Sequence, residues 1–110
     1  MFAAEASSRG CTVFVPLGGD AEGIDLILLT PTQRMLKVQV KTQATAQFAT
    51  VRLYTNTGKH PKLRADVWAV FNDGWHLVPY RAVAPAFSHK LPTLNVSVCR
   101  RYKDNWKLLR

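Results

Sequence analysis

Apolar and polar positions along the chain predict a strand-rich domain that begins with one helix. Residues 1–9 are Ala-rich and fit a short helix, and Gly10 suits the cap at its C-terminal end. Runs rich in β-branched and aromatic residues follow, and such runs are typical of strands. These predicted strands cover residues 11–16, 24–30, 34–42, 48–54, 66–72, 75–80 and 94–99, and residues 81–87 fit a short helix. The pattern favours an α/β domain and is also compatible with an all-β barrel.

Two of the predicted strands, residues 24–30 and 34–42, form a hairpin around the turn at residues 31–33. A symmetric turn places Thr30 opposite Arg34, and this pair fixes every other pair along the hairpin. Leu28 then faces Leu36, Leu26 faces Val38 and Ile24 faces Val40. Because side chains alternate along a strand, these six apolar residues share one face, which we interpret as a core face.

The same register brings three polar residues together on the other face. Asp25 lies directly opposite Gln39, with Cβ atoms about 5 Å apart, and Lys41 is a diagonal neighbour at about 7–8 Å. Mg²⁺ prefers oxygen ligands, which the Asp25 carboxylate, the Gln39 amide and the backbone carbonyl of Val40 can supply. Taken alone, each of these residues is more typical of a turn or a solvated strand, so the prediction of a metal site depends on their convergence.

Such a site has a definite chemical use. A divalent metal polarises a phosphodiester oxygen and lowers the pKa of a bound water. The ammonium group of Lys41 can orient that water or stabilise the charge that develops on the phosphate. The three side chains therefore point to metal-dependent hydrolysis of a phosphodiester.

Length and composition predict the number of domains, the class of binding partner and the cellular compartment. The 110 residues suggest one domain, residues 1–110, and the apolar fraction of 47% suffices for a single core without disulfides. A net charge of +8 makes nucleic acid the leading partner, although a basic surface also serves solubility alone. Cys11 and Cys99 lie in apolar runs without CxxC spacing, which favours buried thiols. Without a signal peptide or an apolar run near the ~20 residues that span a bilayer, we expect a cytoplasmic protein that does not enter membranes.

Residues 10–42 read GCTVFVPLGGDAEGIDLILLTPTQRMLKVQVKT, and this stretch resembles the heart of the PD-(D/E)xK nuclease superfamily. In that pattern, Asp25 matches the aspartate, Gln39 takes the position of the glutamate, and Lys41 matches the lysine. The later segments DVWAVFN, WHLVP and YKDNW resemble the branch with a VQVKT motif, near intron-encoded homing endonucleases and Holliday-junction-resolvase-like enzymes. The resemblance covers nearly the whole chain.

The resemblance implies a restriction-endonuclease-like fold, in which helices flank a mixed central β-sheet. It also implies hydrolysis of DNA with Mg²⁺ or Mn²⁺, and a homodimer or higher oligomer, because cutting both strands needs two active sites. In this family Glu5 is expected to approach the metal from the first helix, against the equal alternative of a solvent-exposed helical glutamate. Gln39 departs from the family glutamate and removes one negative charge, so a DNA-binding module without catalysis and a nuclease acting on RNA stand as alternatives.

Candidate DNA contacts come from the basic residues, because phosphate binding needs Lys and Arg spread along a groove. The first group consists of Lys59, Lys62 and Arg64, which flank a polar loop. The second group begins with Arg100 and Arg101 and continues with Lys103 and Lys107. Taken singly, each of these residues is also compatible with a solvated surface.

Overall fold

The computed structural model describes residues 1–15, 24–42, 50–53, 65–88 and 93–110. The strands in these ranges are β1 (Thr12–Phe14), β2 (Leu26–Leu29), β3 (Met35–Thr42), β4 (Thr50–Arg52), β5 (Val67–Phe71), β6 (Trp75–Pro79) and β7 (Thr93–Asn95). The helices are α1 (Phe2–Ser8), α2 (Tyr80–Val83) and α3 (Val96–Arg100), with 3₁₀ turns at Ala84–Ser88 and Trp106–Leu109. Most predicted elements are thus present, with shorter bounds than the sequence pattern indicates.

A mixed central sheet organises the described residues. Its strand order is β1-β2-β3-β5-β6, and all neighbours run antiparallel except β3 and β5, which run parallel. Strands β4 and β7 form a separate antiparallel pair. Helices flank the central sheet, so the predicted α/β class is confirmed and the all-β barrel is excluded.

The β2–β3 hairpin has the register that the symmetric turn predicts. Leu28 pairs with Leu36, and Leu26 pairs with Val38. Two backbone hydrogen bonds close the turn, because the amide of Thr30 donates to Arg34 at 2.8 Å and the amide of Gln33 donates back to Thr30 at 2.9 Å. The central part of the hairpin is therefore as expected.

The register shifts at the start of β2. The amide of Asp25 donates to the carbonyl of Val38 at 2.9 Å, although Val38 already pairs with Leu26. Two successive residues thus oppose one, which is the arrangement of a β-bulge. The prediction that Asp25 lies directly opposite Gln39 is corrected accordingly.

The position of Ile24 confirms the same shift. An extra residue in a strand makes the side chains before it point to the opposite face of the sheet. Ile24 is buried in a different core cluster from Leu26 and Val40. The prediction that Ile24 shares their face is therefore wrong. Because of the bulge, Ile24 and Leu26 point to opposite faces of the sheet, and Asp25 lies between them.

Two apolar clusters cover the two faces of the central sheet. The first core contains Phe2 and Ala6 of α1 together with Leu28, Val38 and Ala69. The second core contains Trp68 and Val70 of β5 and Val78 of β6, with Val96 and Cys99 of α3. Since alternate residues of β5 enter different clusters, the two cores lie on opposite faces of the sheet.

Residues 94–99, predicted as a strand, divide between β7 and α3. The buried residues Val96 and Cys99 are three positions apart, which is the spacing of one helical face. The predicted helix over residues 81–87 similarly becomes α2 followed by a 3₁₀ turn that includes Pro85, whose ring removes a backbone donor.

The two cysteines are both free and buried, as the sequence predicts. Cys11 belongs to the first core and Cys99 to the second. Burial raises the pKa of both thiols, that of Cys99 to about 11, so both stay protonated at neutral pH. In the described part of the chain, no helix has the length and apolar character needed to cross a membrane.

Candidate functional site

Asp25 contacts the strand that carries the other predicted site residues. One oxygen of its half-buried carboxylate accepts a hydrogen bond from the amide of Val40 at 2.7 Å. In a strand, the N–H and the C=O of one residue point toward the same neighbouring strand. The carbonyl of Val40 therefore lies at the same edge of β3 as the Asp25 carboxylate. The bulge thus joins Asp25 to β3, through Val40 rather than through Gln39.

Gln39 is a buried polar residue beside an aromatic one. Its side chain is 7% exposed, and Gln39 pairs with Trp68 of the parallel strand β5. Its amide oxygen Oε1 is buried and has no hydrogen-bond partner in the described structure. An unpartnered buried acceptor costs about 1–3 kcal/mol, and in native proteins it calls for an explanation such as an unseen ion or water.

Lys41 follows Gln39 on the same face of β3 and is half-buried. It pairs with Val70 of β5, Val70 pairs with His76 of β6, and His76 bridges to Lys103. This row crosses the sheet at one level. Lys103 therefore lies at the same end of the sheet as Lys41.

The donors at this end of the sheet fit a magnesium ion. A carboxylate, an amide oxygen and a backbone carbonyl are all hard oxygen ligands, and Mg²⁺ is usually held by one or two carboxylates plus waters and substrate phosphates. The buried Oε1 of Gln39, which has no hydrogen-bond partner in the described structure, is available as an oxygen ligand for such an ion. Among the described residues, no three His, Cys, Asp or Glu side chains cluster to hold a metal, so this candidate site contains few carboxylates.

Glu5 lies in a different setting from the one expected. Its carboxylate accepts a hydrogen bond from Arg9 at 2.7 Å, and both side chains are more than one-third exposed. Helix α1, which carries Glu5, packs through Phe2 and Ala6 onto the first core, whereas Gln39 lies on the face of the second. The structure therefore shows Glu5 in a surface ion pair, and not beside Gln39.

Of the predicted DNA contacts, Arg100 and Arg101 are described, and both are exposed. They end α3 and precede Tyr102, whose carbonyl accepts a hydrogen bond from the amide of Leu77 at 3.1 Å. This contact places Tyr102 beside Leu77, the middle residue of β6, next to the His76–Lys103 bridge. Lys59, Lys62 and Arg64 lie outside the described residues.

Asp66 and Lys37 form a charged pair at β3 that no motif in the sequence indicates. Asp66 accepts a hydrogen bond from the amide of Lys37 at 2.9 Å, and its carboxylate lies 3.8 Å from the Lys37 ammonium. The amide of Asp66 donates in turn to the carbonyl of Lys37 at 2.8 Å. The pair holds the start of β5 against β3, at the opposite end of the parallel strands from Lys41.

Comparison with known proteins extends the description of the fold. No protein-family model and no curated protein matches the chain. Among solved structures, the chain is similar to a bacterial homing endonuclease, I-Ssp6803I, with a TM-score of 0.67. The similarity covers 97% of this chain and 81% of that chain at 21% sequence identity. The likeness supports the α/β fold with a mixed central sheet.

Proposed function

We propose that the chain is an endonuclease that hydrolyses DNA phosphodiester bonds with Mg²⁺ or Mn²⁺. The observation that carries this proposal is the β-bulge at Asp25, whose carboxylate binds the amide of Val40, the residue next to Gln39 with its buried amide oxygen that lacks a hydrogen-bond partner in the described structure. Similarity of fold to a homing endonuclease supports the same conclusion. The resemblance of Asp25, Gln39 and Lys41 to a nuclease motif agrees with it.

The proposed metal ligands are the carboxylate of Asp25, the amide oxygen of Gln39 and the backbone carbonyl of Val40. When bound there, Mg²⁺ or Mn²⁺ polarises a phosphodiester oxygen and lowers the pKa of a bound water. Asp25 contributes the negative charge, and Gln39 contributes a neutral oxygen from a position that is only 7% exposed. Burial of Gln39 limits competition from bulk water for its amide oxygen.

Lys41 has a different task in this proposal. Its ammonium group carries three donors and a full positive charge. Close to the scissile phosphate, it binds a phosphate oxygen, orients the attacking water and stabilises the charge that develops during hydrolysis. Its half-buried position strengthens these interactions relative to those of a fully solvated lysine.

The DNA is proposed to lie along the end of the sheet that carries Lys41. Exposed Lys103 lies at this end, exposed Arg100 and Arg101 lie within three residues of it, and a chain with net charge +8 is attracted to the phosphate backbone. Cleavage of both strands needs two active sites, so the proposal includes a homodimer or a higher oligomer. Glu5, whose carboxylate pairs with Arg9, is left out of the proposed site.

A plasmid-nicking assay with one matched pair of variants tests the proposal. Wild-type protein is expected to nick supercoiled plasmid with Mg²⁺ or Mn²⁺ and to be inactive in EDTA. Asp25→Asn keeps an oxygen that can accept from the Val40 amide but removes the charge, so nicking is expected to be lost. Asp66→Asn makes the same change at the other carboxylate that accepts from a β3 amide, and it is expected to retain nicking.

The other outcomes assign the protein differently. Binding of duplex and junction DNA without cleavage under either metal identifies a nucleic-acid-binding module. The neutral Gln39 favours this alternative, because it removes one negative charge from the metal site. Cleavage of RNA in preference to DNA in parallel reactions identifies a ribonuclease. Equal loss of nicking in Asp25→Asn and Asp66→Asn contradicts the proposed site, because it traces the loss to the β3 scaffold.

A further inference from the structure

Among the described residues, two buried side-chain atoms lack hydrogen-bond partners, and they belong to residues paired across β3 and β5. One is the acceptor Oε1 of Gln39, and the other is the indole donor Nε1 of Trp68. Gln39 is 7% exposed and Trp68 is 1% exposed, so bulk water does not satisfy either atom. Buried polar groups of this kind are rare in folded proteins, and two on neighbouring residues suggest a common cause.

Strand pairing places the two residues together. Gln39 and Trp68 are direct partners in the parallel register of β3 and β5, and neighbouring strands lie about 4.8 Å apart. Directly paired side chains emerge on the same face of a sheet, so an acceptor and a donor stand on adjacent stems. The two atoms do not form a direct hydrogen bond with each other.

We propose that one buried water joins the indole N–H of Trp68 to the amide oxygen of Gln39, and that Trp68 is thereby a positioning residue for Gln39. The water accepts from Nε1–H and donates to Oε1, which satisfies both atoms with one molecule. Buried waters typically bridge polar groups that the protein leaves unsatisfied, and two partners are the minimum that they need. Surrounding apolar side chains, including Phe87 at 5.9 Å between ring centroids from Trp68, strengthen such hydrogen bonds.

The bridge has a consequence for the metal site, and this step rests on the proposed function. An amide oxygen has two lone pairs, so Oε1 can accept from the water with one and would keep the other for a cation. If the amide were flipped, its NH₂ group and the indole N–H of Trp68 would both present donors to the same position. Trp68 therefore selects the orientation in which Gln39 offers oxygen to the metal, in the way that outer partners fix metal ligands.

The bridge is tested without metal by the indole N–H resonances of the three tryptophans. Trp68→Phe identifies the Trp68 resonance, and Gln39→Met removes the acceptor while keeping a side chain of similar length. The Trp68 resonance is expected to move in Gln39→Met much more than those of Trp75 and Trp106, and to show cross-relaxation with a long-lived water in the wild type. An unmoved Trp68 resonance, or one without a water contact, overturns the bridge.

The positioning role is tested by Mn²⁺ affinity, measured by calorimetry in the absence of DNA. Trp68→Phe is expected to weaken Mn²⁺ binding by about tenfold, the lower end for loss of an outer partner of a metal ligand. Trp75→Phe, on the other face of the sheet, is expected to leave the affinity within about twofold of wild type. Circular dichroism and thermal melts of each variant exclude misfolding, and Trp68→Leu, which also lacks the indole N–H, provides a second variant if Trp68→Phe does not fold.

The two measurements separate this inference from the proposed function. Unchanged Mn²⁺ affinity in a folded Trp68→Phe overturns the positioning role even where wild-type protein binds the ion. Wild-type protein that binds no Mn²⁺ overturns both the metal site and the positioning role, while the tryptophan resonances still decide whether the bridge exists. A displaced Trp68 resonance together with weaker Mn²⁺ binding supports the full proposal.

Discussion

Strand β3 binds one aspartate at each of its two edges, Asp25 on one side and Asp66 on the other. Each aspartate is bound at or next to a lysine of β3, Lys41 or Lys37. Toward the end of β3, the Asp25 carboxylate accepts from the Val40 amide at 2.7 Å, and Lys41 follows. Toward its beginning, the Asp66 carboxylate accepts from the Lys37 amide at 2.9 Å. The two carboxylates thus make nearly the same hydrogen bond to the same strand.

The difference between these regions lies in what surrounds them. Lys37 and Asp66 have side chains 47% and 43% exposed, and they form an ion pair with each other on the surface. Lys41 is half-buried, and two residues before it lies Gln39, whose buried amide oxygen has no hydrogen-bond partner in the part of the chain that the structure describes. Open α/β sheets bind ligands beyond the carboxyl ends of their parallel strands, and Lys41 is at that end of β3 and β5. We therefore expect an Asp–Lys pattern to be functional at the carboxyl end of β3 and structural at its beginning.

The largest expected effect comes from comparing the two lysines of this pattern. Lys41→Met is expected to reduce the plasmid-nicking rate by about 10²–10³-fold, because it removes a charge proposed to stabilise the transition state. Lys37→Met makes the same change two residues before Gln39 and is expected to stay within about threefold of wild type, since surface ion pairs contribute little. Initial nicking rates at saturating DNA measure both.

The result also checks whether the comparison is correct. Similar rates for Lys41→Met and Lys37→Met would show that position along β3 does not decide function. A fall in DNA affinity without a fall in the saturated rate would reassign Lys41 from the chemistry to DNA binding. Thermal melts of both variants exclude a loss of folded protein.

A smaller effect is expected from exposed arginines in two different parts of the chain. Arg100 and Arg101 lie within three residues of Lys103, which is level with Lys41, whereas Arg81 belongs to α2, which begins near Asp66, because the carbonyl of Asp66 accepts from the Tyr80 amide at 3.0 Å. Removing one basic side chain that neutralises a DNA phosphate lowers the slope of log affinity against log salt by about one. We expect that reduction for Arg100→Ala and for Arg101→Ala, and no change for Arg81→Ala.

Duplex-DNA affinities across a salt series provide this measurement. The three arginines are all exposed, so their substitutions are matched in their expected effect on stability. A lower slope for Arg81→Ala alone would place DNA at the Asp66 end and contradict the assignment of the two regions. Reductions at both ends would extend the binding surface over the whole sheet.

The sequence predicts the centre of the hairpin well, because the turn is short and one face is apolar. The pairs of Leu26 with Val38 and of Leu28 with Leu36 follow directly from the position of the turn. The bulge at Asp25 could not be predicted in this way. Residues 24–29 are apolar except for Asp25, so a shift by one residue exchanges one apolar side chain for another and leaves no trace in the pattern.

The candidate site follows the same division between local and non-local information. Local sequence predicts that Gln39 and Lys41 share one face of β3. The parallel pairing of Gln39 with Trp68 joins strands separated by a long connection, and so no local pattern reveals it. The ion pair of Glu5 with Arg9 is a local contact four residues apart on α1, and its spacing could have revealed it, whereas the motif alone specifies a residue type and not its partners.

The smallest expected effect concerns the energy of the Asp66–Lys37 pair itself. A double-mutant cycle with Asp66→Asn and Lys37→Met isolates the interaction of the two charges, while Asn keeps an oxygen for the Lys37 amide. At 3.8 Å and nearly half exposed, the pair is expected to contribute less than about 1 kcal/mol in urea unfolding at low salt. Screening by 1 M salt should remove most of that coupling, because the Debye length falls to about 3 Å. A coupling above about 2 kcal/mol that resists salt would show that Asp66 and Lys37 hold the parallel strands together, and they would then be unsuitable as the inert counterpart of Asp25 and Lys41.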